Sequence, residues 1–414
     1  MRNPSGNTYI GILSSELPPA QRLESMQPSL YAPCVDITRG RMGFERLGLR
    51  ILNKDITSED NFVKLQAIHS LMDQVQMSEN ALFLINLNVI YKLIDLLTDP
   101  DPIVKEKVCL ILSQLTHFYQ GRKRIIARPV FIDRLTFLFM RERKEIRYAA
   151  ALCLKNLAIY SAKDIIKNEK IVESLIKMIK NDHVGIVLLH IETLKKLAEW
   201  DPEKPLKANA FKVMLRLMTY CEVKIHHAAM ECIRQLCKHS VGKKLADKYD
   251  LIQLLMIHMQ SEDQQVIISA LGLMEYSSVT SMSKWRGREF VYDLTTFLVV
   301  LCVTHDIPVL QIRAMQVVIN LCDCPDIRTY VKNNLEMQII NGIKIRKPGQ
   351  WDGTTDTDIY GLKTGNNYWT RYEANVKNDH YDQGEIVNEH YYLERVKATK
   401  DRLIKILNYK SYNI

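Results

Sequence analysis

No apolar run in this chain is long enough to cross a bilayer. The longest, TFLVVLCV at 296–303, falls far short of the roughly 20 residues a spanning helix needs. Cysteine is sparse and unpatterned. Nine residues, an odd number without framework spacing, argue against a disulfide scaffold and for a reducing compartment. The start, Met1-Arg2-Asn3-Pro4, is polar and lacks a secretory signal, and neither end carries a lipidation signature. These absences lead us to expect a soluble intracellular protein without a membrane partner.

Catalytic motifs are missing as well. There is no G-x-S-x-G elbow, no H-E-x-x-H and no dinucleotide fingerprint, and GLKTG at 361–365 lacks the spacing and preceding strand of a phosphate loop. Cys232, Cys237 and His239, with His226 and His227 nearby, have metal-binding chemistry but no paired zinc spacing, and they fall in an apolar helical stretch. Cys322 and Cys324 read the same way. DTDIYG at 356–361 begins like a calcium loop, but its twelfth position is Asn367 where a bidentate Glu is wanted. No enzyme, cofactor, metal or small-molecule substrate is expected.

What is present is a repeat. Apolar residues make up 47% of the 414 positions and charged residues 25%, enough to build a large core. A template with an apolar residue, a small one four positions on, and apolar ones at eight and eleven fits from Val63, Val104, Ile146, Ile186, Ile225, Val266 and Leu310. These starts lie 39 to 44 residues apart. The small position holds Ala67, Ala150, Ala229, Ala270 and Ala314; His190 at one small position and Ser277 at one apolar position eleven residues on are the imperfect members. A second apolar segment lies between these stretches, as in VIYKLIDLL at 89–97, FIDRLTFLF at 131–139 and LIQLLMIHM at 251–259. Turn chemistry such as TDPDP at 98–102 and DPEKP at 201–205 separates them, and prolines keep out of the stripes.

A period near 40 with two or three helices per unit belongs to the armadillo/HEAT class. The expected fold is all-α, a right-handed α-solenoid of about seven such repeats. KNLA at 155–158 and INLC at 319–322 tilt the choice toward armadillo. Residues 1–54 read as an arm and capping helix, 55–342 as the solenoid, and 343–414 as an aromatic-rich tail ending in an amphipathic helix.

Two features stand out as candidate partner-binding elements. The first is a basic cluster: Arg122, Lys123, Arg124, Arg128, Arg134, Arg141, Arg143, Lys144 and Arg147, offset by Asp133, Glu142 and Glu145. It reads either as a face for an acidic partner or as an ordinary solvated surface. The second is the tail, with Trp351, Tyr360, Trp369 and Tyr372 among its aromatics. Such side chains favour interfaces, so the tail is expected to dock on its own solenoid or on another subunit. A net charge of +9 is too modest to demand nucleic acid, and Trp200 and Trp285 do not form the regular ladder of an import receptor.

The stretch LYAPCVDITRGRMGFERLGLRILNKDITSEDNFVKLQAIHSLMD, with Pro33, Val35, Asp36, Thr38 and Arg39 leading into VKLQAIHSL at 63–71, resembles the armadillo-repeat subunits of axonemal radial spokes, the radial spoke head protein fourteen family. INLNVIYKLIDLLTDPDPIVKEKVCLILSQLT continues in the same style. The resemblance covers about residues 30–340, and the tail departs from it. It implies a structural subunit in the cytoskeleton of the ciliary or flagellar axoneme, bound to other spoke proteins close to doublet microtubules. A soluble adaptor that binds peptide segments of signalling or trafficking partners is the alternative.

Overall fold

The computed structural model describes residues 39, 45–219, 222–287, 291–305, 307–345 and 389–409. The chain forms two compact units, Met1–Lys92 and Leu93–Ile414. Every described regular element is helical.

In the first unit, α1 (Glu45–Asp55) packs on α2 (Asn61–Gln74) and α3 (Ser78–Asn86). Leu49, Leu52, Ile68, Leu71 and Leu84 are buried between them. Asp60 caps α2 by accepting the Phe62 amide, which satisfies one of the orphan donors of the first turn. α4 (Val89–Leu96) begins in this unit.

The second unit is a stack built from a recurring trio: a short first helix, a middle helix and a long third helix. The third helices are α5 (Pro102–Leu115), α8 (Lys144–Ile165), α10 (Val184–Trp200), α13 (Val223–Leu236), α16 (Gln264–Ser277) and α19 (Pro308–Leu321). Interspersed in chain order are α6 (Tyr119–Ile126), α7 (Val130–Arg141), α9 (Glu169–Asn181), α11 (Glu203–Lys207), α12 (Ala210–Leu217), α14 (Ser240–Lys248), α15 (Leu251–His258), α17 (Ser281–Gly287), α18 (Val291–Thr304) and α20 (Pro325–Met337). α8 is two repeat helices run together across a non-helical Ser161 at φ −133°.

Each third helix packs on the next, from α5 through α8, α10, α13 and α16 to α19. The sequence template explains why. Its fourth-residue position, filled by Val108, Ala150, His190, Ala229, Ala270 and Ala314, is completely buried at every rung, and the alanine that four of the six carry lets neighbouring helices approach closely. One trio alone would leave its apolar faces in water, so stacking supplies the core.

Turn chemistry recurs with the same logic. Asn88, Asn209 and Asp250 all adopt positive φ immediately before a middle helix, and Asn and Asp tolerate that backbone better than other side chains with a Cβ. Asp101, Asn168 and Asp263 cap helices through their side-chain oxygens. Pro102, Pro308 and Pro325 occupy first turns, where no donor is lost.

The final helix, α21 (Glu389–Leu407), packs on α19 as a further rung and touches α20. Leu393, Val396, Leu403 and Leu407 are buried in that seat, each contributing on the order of 2 kcal/mol of apolar burial. Lys400 Nζ donates to the carbonyls of Ile340 and Ile343 at 2.8 and 2.9 Å. The helical end of the tail therefore docks on its own chain.

Candidate interaction surface

The basic cluster does not form one surface. Arg122 is 5% exposed. Its Nη1 donates to the carbonyls of Thr116 and His117 at 3.0 and 3.1 Å, and its guanidinium lies 4.3 Å from the centre of the Tyr160 ring. It closes the C-terminal end of α5, where free carbonyls attract a cation. Arg328 holds the equivalent position two hundred residues on and donates to the carbonyl of Cys322 at the end of α19. Arg122 thus belongs to the architecture of the repeat, which corrects its expected place on a partner-binding face.

Its neighbours are similarly engaged. Arg134 Nη1 reaches the Ile94 carbonyl at 2.6 Å and Asp95 Oδ1 at 3.0 Å, and Arg128 lies 3.6 Å from the same carboxylate. Arg147 clasps Asp182 with two bonds, of 2.9 and 2.6 Å, and donates a third to the Glu142 carbonyl. Arg124 is half-buried on α6. Four of the expected residues are exposed: Lys123 on α6, and Arg141, Arg143 and Lys144 at the α7–α8 turn, with Arg141 over the Phe137 ring. Trp351, Tyr360, Trp369 and Tyr372 lie outside the described residues.

A second gathering of charge runs along the third-helix ladder. Lys155 on α8 pairs with Glu192 on α10 at 2.9 Å, and Lys196 pairs with Glu199 at 3.3 Å. On α13, Glu231 is 8% exposed and accepts from Arg234 on its own helix. Arg313 Nη1 approaches Glu231 from α19 at 3.6 Å, reaching past the intervening α16. The crossing is possible because residue 272 is a glycine: a Cβ there would lie 2.5 Å from Arg313 Nη1. The same Nη1 donates to the Ile268 carbonyl at 2.6 Å.

Electrostatics follow from this crowding. Burial alone would raise the Glu231 carboxyl, but Arg313, Arg234 and Lys195 hold it down to about 2. Glu275, in the same neighbourhood, is raised by burial despite Arg313, Arg234, Arg395 and Lys238. Lys238 is lowered, first by burial and then by Arg234. The rungs are also tied by amides. Asn156 donates to Ser113 Oγ at 2.8 Å, and Asn320 donates to the Glu275 carbonyl and to Ser278 Oγ at 2.8 and 3.2 Å.

The signal for this stripe was present in the template columns. Six positions after the repeat starts stand Glu192, Glu231 and Gly272; nine positions after stand Lys155, Lys195, Arg234 and Glu275. Clustering by chain proximity does not reveal it, because its members are about 40 residues apart.

The remaining sequence candidates have separate structural places. Cys232 and Cys237 are buried free thiols, both pushed up to about 12 by burial. His239 accepts the Val241 amide at the start of α14, His226 meets His258 edge-on at 4.6 Å, and His227 Nδ1 lies 2.5 Å from Ser269 Oγ. His190 sits in its small-residue slot against Phe139, with burial lowering it to about 4. Among the described residues no group of three or more His, Cys, Asp or Glu side chains is placed to hold a metal, and no helix is long and apolar enough to cross a membrane.

No protein-family model and no curated protein matches this chain. Solved structures do. An engineered protein aligns over 86% of this chain and 89% of its own, with TM-score 0.64 and 16% identity. A designed armadillo repeat protein in complex with the peptide (KR)4 aligns over 55% of this chain and 99% of its own, with TM-score 0.52 and 15% identity. Computationally designed armadillo repeat proteins for modular peptide recognition align over the same share, with TM-score 0.51. At these identities the likeness is one of fold. The chain is an all-α armadillo-type solenoid, an architecture suited to protein interaction.

Proposed function

We propose that this protein is a non-catalytic scaffold that holds protein partners along its third-helix ladder, and that its setting is the ciliary or flagellar axoneme, as a radial-spoke subunit. The observation that supports the scaffold reading most directly is the ladder itself. Successive rungs present half-exposed charged side chains in one continuous stripe, in a fold whose stacked repeats offer an extended surface. The axonemal assignment rests on the resemblance carried by Pro33, Val35, Asp36, Thr38, Arg39 and the 63–71 segment. A soluble peptide adaptor is the second reading, favoured by the designed neighbour solved with a bound peptide.

Tagged chain in a ciliated cell, imaged before and after detergent and high-salt extraction, tests the assignment. Retention on the axoneme, lost in cells lacking radial spokes, is the expected result. A diffuse signal that detergent removes completely would transfer the case to the adaptor.

A further inference from the structure

The charged stripe is not balanced. Around Glu199, Glu231 and Glu275 stand Lys195, Lys196, Arg234, Lys238 and Arg313, drawn from three rungs of the ladder. Two of the three carboxylates have ion-pair partners, Lys196 for Glu199 and Arg234 with Arg313 for Glu231, while Glu275 feels Arg313, Arg234, Arg395 and Lys238 at longer range. Among the described residues Lys195 and Lys238 join no ion pair, although Glu199 and Glu231 attract Lys238 at longer range. Lys195 acts on Glu231 only at longer range, and the Lys238 ammonium stands 6.0 Å from the centre of the Tyr276 ring. Lys238 reaches water although its ammonium is partly desolvated by its neighbours, and Lys195 and Tyr276 are half-exposed. The surplus positive charge therefore lies on the water side of a pre-ordered network, whose inner members cannot turn outward without breaking their own pairs.

From this geometry we infer that the α10–α13–α16–α19 stripe binds an extended acidic peptide segment, its carboxylates seated on Lys195 and Lys238 and its backbone running across the rungs. The inference rests on the scaffold reading above and gives that surface a partner chemistry. Spacing sharpens it. Packed helices lie about 8–10 Å apart, and an extended chain advances about 3.3 Å per residue. A matching ligand therefore carries a pair of Asp or Glu residues about three positions apart, one for each lysine. Nucleic acid fits less well, because its backbone carries a charge at every nucleotide and would bring phosphates against Glu199 and Glu275 as well as the lysines. The peptide expected here is opposite in charge to the (KR)4 with which the designed neighbour was solved.

The test uses the full chain and four fluorescein-labelled probes in an anisotropy titration: a 15-residue peptide with Glu at every third position, its neutral Gln counterpart, (KR)4 and a single-stranded oligonucleotide. The acidic peptide is expected to bind at least about tenfold tighter than the others and to weaken severalfold as salt rises from 50 to 200 mM. Lys195→Glu with Lys238→Glu should cost about tenfold in that affinity while the helical circular dichroism is unchanged. Charge reversal at Lys123 and Lys144 should leave the affinity within about twofold. Equal binding of the Gln peptide, tighter binding of (KR)4 or of the oligonucleotide, or indifference to the Lys195/Lys238 reversal would each overturn the inference. Failure of the scaffold reading looks different. A chain that binds no acidic peptide yet stays in the detergent-resistant assembly refutes only the acidic preference; one that binds the peptide but washes out of the axoneme refutes only the axonemal setting.

Discussion

Residues 122–147 and the 192–313 stripe are both rich in charge, and they teach opposite lessons. The first is dense along the chain and dispersed in space. Arg122 turns inward to close a helix, Arg134 and Arg128 serve Asp95, and Arg147 serves Asp182. The second is dilute along the chain and dense in space, because a 40-residue period brings equivalent columns of successive repeats side by side. In a solenoid, a local run of cations samples several faces of one repeat. A column of the template samples one face of several repeats. Only the column builds a surface.

The largest effect that would separate these regions comes from Glu231. Its carboxyl is depressed in the folded chain from 4.5 to about 2. The stability it confers is therefore fully present above about pH 4.5 and is lost as pH falls toward 2. For a shift of this size the linkage is roughly 3 kcal/mol. Thermal melts between pH 7 and pH 2.5 should show a steep acid limb in the native chain. Glu231→Gln should be less stable at pH 7, since Arg313 and Arg234 lose their counter-charge, yet should show a shallower limb. Parallel limbs in the two proteins would mean that Glu231 is not what holds the stripe together.

Arg122 is the corresponding probe for the other region. Removing it deprives the Thr116 and His117 carbonyls of their donor and uncovers Tyr160, so Arg122→Ala should cost about 2 kcal/mol. Lysine lacks the planar group that stacks on Tyr160, so Arg122→Lys should recover little of the loss. Lys123→Ala, on the exposed side of the same helix, should stay within about 0.5 kcal/mol. Chemical denaturation of the three variants reads this directly. Equal costs at positions 122 and 123 would restore the cluster as a single surface.

The legibility of this protein in its sequence follows from the range of the interactions concerned. Third helices, their buried small residues and the stacking order were readable because each needs only the periodicity of apolar residues within one repeat, as at Ile146, Ala150 and Leu154. The terminal helix was readable as amphipathic, but its seat on α19 was not, since the pattern around Leu393 and Val396 does not name the surface that covers them. Arg122 misled because charge forecasts exposure on average, and a cation that can reach helix-terminal carbonyls is the usual exception. The stripe is not legible in the chain because Glu231 and Arg313 are 82 residues apart and meet only once three rungs are stacked.

Gly272 offers the finest discrimination, because two effects of similar size oppose each other there. In the middle of a helix, Gly→Ala ordinarily stabilises by about 1 kcal/mol. Here the new methyl would sit 2.5 Å from Arg313 Nη1 and 2.7 Å from its Cζ, so the guanidinium must withdraw from Ile268 and Glu231. Losing a charge-assisted hydrogen bond costs about 1.5–3 kcal/mol, so Gly272→Ala should come out destabilising by about 1 kcal/mol. The sign is what matters. In an Arg313→Ala background the obstruction is gone, and the same Gly272→Ala change should become stabilising by about 1 kcal/mol. A double-mutant cycle in urea measures that reversal as a coupling energy of about 2 kcal/mol. Additive behaviour would mean that Arg313 already moves freely past α16. The stripe would then be a set of independent surface charges, no more organised than Lys123 and Lys144.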